Sequence, residues 1–179
     1  MKELSLNVLD IVQNSITAGA TDILITLIED DKRLLTLTIA DNGCGMSEET
    51  VERVRDPFYT TRTTRKVGMG IPLLRLAAEQ AGGELHIESK TAENDHGTTV
   101  RATFHTDNID FTPVGDMVST LCVIIQGHPE IDYVFRHKTP SLDVELDTAQ
   151  VREVLGEGIS LSEPEILSWL KEYLSQQYE

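Results

Sequence analysis

Cysteine is scarce in this 179-residue sequence: Cys44 and Cys122, 78 positions apart, are the whole complement. Two thiols so placed make neither a disulfide framework nor the paired spacing of a zinc site, so the fold must rest on its core. Basic residues are also few. Lys and Arg total 15 against 30 Asp and Glu, a formal net charge of −15. Nucleic acid needs a basic surface, and this chain offers none outside one short loop, so no nucleic-acid partner is expected. Long apolar runs are missing too. Stretches such as residues 121–125 fall far short of the roughly 20 residues that cross a bilayer, and residues 1–5 begin no apolar leader. No membrane partner is expected, and a reducing cytoplasm is the expected compartment.

What is present is globular: 40% apolar and 25% charged residues. The charge is uneven. Residues 1–108 hold 11 basic and 17 acidic side chains, and residues 109–179 hold 4 and 13. The acidic excess of the second part serves solubility or forms a face for a basic partner.

Residues 3–18 set Leu4, Val8, Leu9, Ile11, Val12 and Ile16 at helical spacing, and Gly19 stands where such a helix stops. Residues 22–28 and 34–40 alternate as strands do, around a polar turn, and predict a hairpin. Ser47 before Glu48 and Glu49 predicts a short capped helix ending near Arg55. Residues 59–67 are polar, basic and aperiodic and read as a loop. A helix is predicted over 72–80, ended by Gly82-Gly83, then strands over 84–89 and 98–104 around a loop with Asn94 and Gly97. After residue 108 the pattern restarts. Residues 114–125 read as a helix, or a helix followed by a strand. Residues 133–137 and 142–146 read as strands joined at Thr139-Pro140, and 148–155 as a helix ended by Gly156. Ser162-Glu163-Pro164-Glu165 has capping-box spacing and opens a last helix with Ile166, Trp169, Leu170 and Leu174 on one face. Trp169 is expected in the core. Two regions result: 1–108, and an acidic extension, 109–179.

Three constellations carry chemistry. Asp10 and Asn14 lie four apart and share a helix face. An amide oxygen is a hard ligand suited to Mg²⁺, and a carboxylate one turn away can take a proton from an attacking group. Two polar residues on a solvated face are the plain alternative. Asp41-Asn42-Gly43-Cys44-Gly45-Met46 follows a strand directly. Its carboxylate can accept a hydrogen bond from the exocyclic amine of a planar base, and its glycines let backbone approach. A tight turn with Asp as its own acceptor is the alternative. Gly68-Met69-Gly70 opens a helix after Arg62, Arg65 and Lys66. Amides at a helix start, with cations beside them, suit a phosphate chain; a solvated hinge is the alternative. The five histidines fall in predicted strands and loops and read as structural or surface residues.

In this order, the motifs resemble the GHKL superfamily, the ATP-binding domain shared by DNA gyrase B, the Hsp90 chaperones, sensor histidine kinases and the MutL mismatch-repair proteins. The N box is matched by Leu9-Asp10-Ile11-Val12-Gln13-Asn14-Ser15 with Ala18-Gly19-Ala20, and the G1 box by Asp41 to Met46. The F box is matched by Asp56-Pro57-Phe58-Tyr59-Thr60-Thr61-Arg62, and the G2 box by Gly68-Met69-Gly70-Ile71-Pro72-Leu73. Gly97-Thr98-Thr99 marks the closing strand. The resemblance covers residues 1 to about 106, and its Phe-Tyr-Thr-Thr-Arg wording is most similar to histidine kinases. It implies an α/β fold, a two-layer α/β sandwich (the Bergerat ATP-binding fold), here with a C-terminal α+β extension. ATP and Mg²⁺ are the implied cofactors. Asn14 then holds the metal, Asp41 takes the adenine amino group, Gly43, Gly45 and Met46 shape the base pocket, and Thr98 supports Asp41 and an ordered water. Residues 59–70 are the implied lid, bringing Arg62, Lys66, Gly68, Met69 and Gly70 to the phosphates. Asp10 is the implied catalytic residue.

Two positions depart from the family wording. Pro72 replaces a third glycine of the G2 box and takes one backbone N–H from that cradle. Asp10 stands where hydrolysing members and anti-sigma-factor serine kinases carry the longer Glu. No helical hairpin with an acceptor histidine precedes the N box. The expectation is a soluble protein kinase similar to the anti-sigma-factor serine kinases, acting on a serine, threonine or histidine of a partner protein. The alternative is an ATP-dependent conformational switch, or a regulatory interaction module without phosphotransfer. Residues 109–179 are left to make a homodimer, to cover an open sheet edge or to bind a partner.

Overall fold

A computed structural model of the protein describes residues 3–56 and 69–179. The expectations for Arg62, Arg65, Lys66 and Gly68, and for the F box from Pro57 onward, lie outside these residues.

Alternation in the sequence becomes alternation in burial. β1 (Asp22–Glu29) buries Ile23, Ile25 and Leu27, and β2 (Leu34–Asp41) buries Leu35, Leu37 and Ile39 on the same face. The two pair antiparallel. β3 (Leu85–Ala92) and β4 (Asp95–His105) form a second hairpin. β4 starts three residues earlier than the alternation suggests, because Asp95, His96 and Gly97 stay paired with Ala92, Thr91 and Lys90. β4 lies antiparallel to β2 in the register that sets Asp41 opposite Thr98.

On the other side of β1 runs β5 (Asp132–Thr139), parallel to it, and then β6 (Leu142–Asp147), antiparallel to β5. The strand order is β3-β4-β2-β1-β5-β6. Residues 109–179 therefore continue the sheet begun by residues 22–105, and they cover the edge that β1 would otherwise present. Tyr133 and Phe135 stand opposite Ile23 and Ile25 and extend the same buried row.

The helices α1 (Leu4–Thr17), α3 (Gly70–Gln80), α4 (Met117–Gly127) and α6 (Pro164–Tyr178) cover this apolar face in the lateral order α3-α1-α4-α6. The short α2 (Glu48–Val54) packs at β3, and α5 (Thr148–Leu155) at β5. This is the expected two-layer α/β sandwich. Among the described residues no helix is long and apolar enough to cross a membrane.

Helix starts follow local chemistry, with exceptions. Ser47 accepts from the Thr50 N–H to cap α2, and Asp116 accepts from the Ser119 N–H to cap α4. That cap starts one uninterrupted helix where a helix or a helix and strand were both open. α1 has no side-chain cap; the Leu4 and Ser5 N–H groups donate instead to the Pro113 and Val114 carbonyls, each at 2.9 Å. The second region thus caps the first helix of the first region. The capping box expected at Ser162 does not form. Ser162 donates its N–H to Ser160 Oγ, and Glu163 becomes the N-cap without a side-chain bond. Trp169 is not in the core either: it is 47% exposed, while Leu170 and Leu174 on the same helix are fully buried.

His137 is buried on β5 and hydrogen-bonds through Nδ1 to the Tyr178 hydroxyl of α6 at 2.9 Å. Burial lowers its pKa below the usual 6.5, against a smaller opposing pull from Glu29. The unfolded chain therefore takes up this proton more readily than the folded one. Stability from this site is complete above pH 6.5 and is lost as the pH falls below it. Urea midpoints at about pH 7.5 and 5.5 should separate for the wild type, and His137→Gln should shrink the separation.

Candidate nucleotide site

The end of β2 lies against α1, and the residues of greatest chemical interest meet there. Asp41 is held from two sides. Ser15 Oγ donates to Oδ2 at 2.6 Å, and the Gly43 N–H donates to Oδ1 at 2.9 Å. A carboxylate has about four acceptor positions, so this one is oriented and still able to accept from a ligand.

The loop after Asp41 is anchored along its length. Asn42 accepts from the Thr21 and Asp22 N–H groups and donates to the Thr21 hydroxyl, which ties the loop to the start of β1. The Cys44 N–H donates to the Ala18 carbonyl at 2.9 Å. His96 Nδ1 lies 2.6 Å from the Gly43 carbonyl; a carbonyl only accepts, so this nitrogen carries the proton. The Met46 N–H donates to Ser89 Oγ at 2.7 Å, and Ser89 also bonds Thr98 Oγ1 at 2.7 Å. Gly45 has φ 75°, and a Cβ there would sit 1.9 Å from the Lys90 carbonyl oxygen. Only glycine allows the loop to lie so close to β3.

Together these elements enclose a cavity of about 290 Å³. Its walls are chiefly apolar, with Ile11, Ile39, Met46, Ile71 and Val100, and its polar side chains are Asn14, Ser15, Thr17, Asp41 and Thr98. A slot of apolar walls over one fixed acceptor carboxylate suits an aromatic heterocycle with an exocyclic amine.

Asp10 lies one turn before Asn14 on α1 and outside the cavity lining. Partial burial raises its pKa above the ordinary carboxylate value. It abuts the start of α3: a Cβ on Gly70 would lie 3.2 Å from Asp10 Cβ and 3.6 Å from Ile11 Cδ1. α3 begins at Gly70, two residues before the sequence reading places it, so Pro72 is its third residue. A third-position N–H has no intrahelical acceptor, so Pro72 leaves the helix intact and removes only one outward donor; Gly70 and Ile71 keep theirs.

The structure thus brings Asn14, Asp41, Gly45, Met46 and Thr98 together, with Gly43 behind them and Asp10 and Gly70 adjacent. It does not bring Met69, which lines a separate surface depression with Arg55 and Leu76. Thr98 reaches Ser89, and the hydroxyl on Asp41 belongs to Ser15. Ser15, Ser89 and His96 are the residues that sequence reasoning missed. Ser15 had a local signal, one position after Asn14; Ser89 and His96 had none before β3 and β4 were paired. Among the described residues, no group of three or more His, Cys, Asp or Glu side chains could hold a metal. A cation beside Asn14 would need oxygens from a bound ligand, a donor set that fits a metal carried by a phosphate chain.

The chain belongs to the family described as the histidine kinase-, DNA gyrase B- and HSP90-like ATPases, whose model matches residues 2–108. It carries the ATP-binding domain of that family, of the histidine kinase type. It is similar to sporulation kinase E of Bacillus subtilis, 29% identical over 103 residues, covering 58% of this chain and 13% of that protein. It is similar also to the sensor histidine kinase YcbM of Bacillus subtilis, 31% identical over 90 residues, covering 47% of this chain and 29% of that one. Such matches span between 10% and 29% of those curated relatives. In fold it is similar to the MutL ATPase domain of Aquifex aeolicus complexed with ADP, with TM-score 0.52 and 16% identity, covering 80% of this chain and 63% of that chain. That coverage takes in more than the family model does, so the likeness of fold extends into residues 109–179.

Proposed function

We propose that the chain binds Mg-ATP in the cavity beneath α1 and passes the γ-phosphoryl group to a hydroxyl or imidazole of a partner protein. The observation that carries this reading is the Asp41 carboxylate, fixed by Ser15 and Gly43 at the floor of an apolar slot. In this reading Asp41 accepts from the adenine amino group, and Gly45 and Met46 bound the base. Thr98, held by Ser89, keeps β4 in place beside Asp41 and supports an ordered water. The Asn14 amide oxygen would be the protein's ligand to Mg²⁺, which would supply positive charge at the phosphates. Bound ATP supplies the phosphoryl group and leaves as ADP. Asp10, made more basic by partial burial, accepts the proton of the attacking group. The first N–H groups of α3 serve the phosphates, and the family resemblance assigns Arg62, Lys66 and Gly68 to the same role. The kinase names of the relatives support phosphotransfer to protein.

One observation favours a second reading, an ATP-dependent switch. α1 carries Asp10 and Asn14, packs against α4, and is capped by Pro113 and Val114. Nucleotide at α1 then biases residues 109–179 without any turnover.

Asp10→Asn separates the readings. Its Mg-ATP affinity, measured by calorimetry, should stay within about threefold of the wild type. ADP production by the purified chain, with water taking the phosphoryl group in the partner's absence, should fall about a hundredfold or more. Turnover that persists removes Asp10 as the base. A wild type that binds ATP and forms no ADP, both alone and with candidate acceptor proteins supplied, favours the switch.

A further inference from the structure

α5 and α6 diverge beside β6 and leave a groove of about 550 Å³ between them. Leu146 forms its floor, Val151 and Val154 one wall, and Ile166, Trp169 and Tyr173 the other. Trp169 and Tyr173 stack with ring centroids 5.1 Å apart and planes 14° from parallel. Val154 is 87% exposed. α6 already makes its core contact through Leu170 and Leu174, so the apolar residues of the groove are surplus to folding. Single exposed apolar side chains are ordinary; a contiguous set lining a groove marks a contact surface.

The rim is of one sign. Glu165 and Glu172 stand four before and three after Trp169, on its own stripe of α6, and both are exposed. Glu153 and Glu157 are exposed beside Val154, and Asp147 lines the groove's end. The two cations of these helices are directed elsewhere. Arg152 pairs with Asp132 at 3.1 Å and donates to the Ile131 carbonyl, and the charge of Lys171 lies close enough to Asp116 and Cys122 to favour their ionised forms.

We propose that this groove docks an amphipathic helix of a partner protein, with apolar residues at i, i+3, i+4 and i+7 and Lys or Arg on its flanks. A helix laid between two helices buries one apolar stripe, and Trp169 and Tyr173 are the aromatic anchors such an interface uses. The acidic rim selects the basic flanks. A second copy of the chain would bring the same rim and a further net charge of −15, so it is the wrong occupant. The groove lies apart from the cavity at Asp41, and the inference stands whether or not that cavity turns over ATP.

Trp169 is the single tryptophan of the sequence, so its fluorescence reports the groove alone. The probe is a synthetic helix of Leu at i, i+3, i+4 and i+7 with Lys elsewhere; a Leu/Glu helix of the same pattern is the control. The Lys helix should shift Trp169 emission to the blue saturably, and the Glu helix should not. Val154→Glu should weaken the Lys helix about tenfold. Ile109→Glu adds the same charge at a residue 98% exposed and should leave affinity unchanged. Both variants add attraction for a cationic peptide, so equal affinities would mean attraction by net charge and overturn the groove. An equal response to the two peptides overturns it too, as does an emission shift that follows protein concentration alone, which means a second copy. Amide exchange on the wild-type chain decides without any variant: the Lys helix should slow amides of α5 and α6, and unslowed amides there overturn the proposal.

Discussion

Asp41→Asn should weaken Mg-ATP binding about a hundredfold and leave the chain folded. The carboxylate has three acceptor duties in the proposed complex. Two are visible, toward Ser15 Oγ and the Gly43 N–H, and the third is toward the adenine amine. Asparagine keeps one acceptor oxygen, and the Gly43 bond can hold it. Its NH₂ then occupies the position of Oδ2. The Ser15 hydroxyl can turn to accept from it, so folding loses about 1 kcal/mol or less. The base cannot adapt in this way, because its amine would face another donor. A hydrogen bond to a charged group contributes about 1.5–3 kcal/mol, which sets the expected loss between about tenfold and a hundred and fifty fold. Calorimetric titration beside a thermal melt checks both halves. Unchanged affinity would take Asp41 out of base recognition.

Gly45→Ala should have the larger effect on the fold. The new Cβ meets the Lys90 carbonyl oxygen at 1.9 Å, and this neighbour is backbone, so it cannot swing aside. The residue also holds φ 75°, which alanine adopts at a cost of about 1–2 kcal/mol. The loop must leave β3, and the Met46 N–H to Ser89 bond goes with it. A stability loss of about 3 kcal/mol and undetectable nucleotide binding are expected. Gly19→Ala is the control. Gly19 has φ 78° and no atom within 4 Å of an added Cβ, so it carries the conformational cost alone. Equal losses for the two variants in urea titrations would show that the approach to Lys90 is unimportant.

Local rules made much of this molecule readable. The spacing from Leu4 to Ile16 dictates α1, and alternation dictates β1 and β2, because each element buries a single face. Asp41, Gly43 and Gly45 are neighbours in sequence, so their shared loop could be read directly. The Ser89 bonds to Met46 and Thr98 could not, since they depend on the register of two hairpins against each other. The parallel pairing of β5 with β1 leaves no local trace at all. Trp169 was misplaced because α6 has two adjacent apolar stripes. Leu170 and Leu174 face the core, while Ile166, Trp169 and Tyr173 face the groove, and periodicity alone merges them. The cap of α6 moved by one residue because Ser160 engages Ser162 first.

The strand that closes β1 has a consequence for how the chain is made. Asp22 and Asp132 sit opposite one another although 110 residues separate them. The first amides of α1 likewise wait for Pro113 and Val114. At about 5–20 residues per second, a ribosome needs about 5–20 s to synthesise the residues between. From the emergence of β2 (Leu34–Asp41) until β5 follows, the nascent chain carries β1 with one edge unpaired and one apolar row half covered. Synthesis rate and chaperone access in that window should govern the yield of soluble protein more strongly than substitutions on its finished surface.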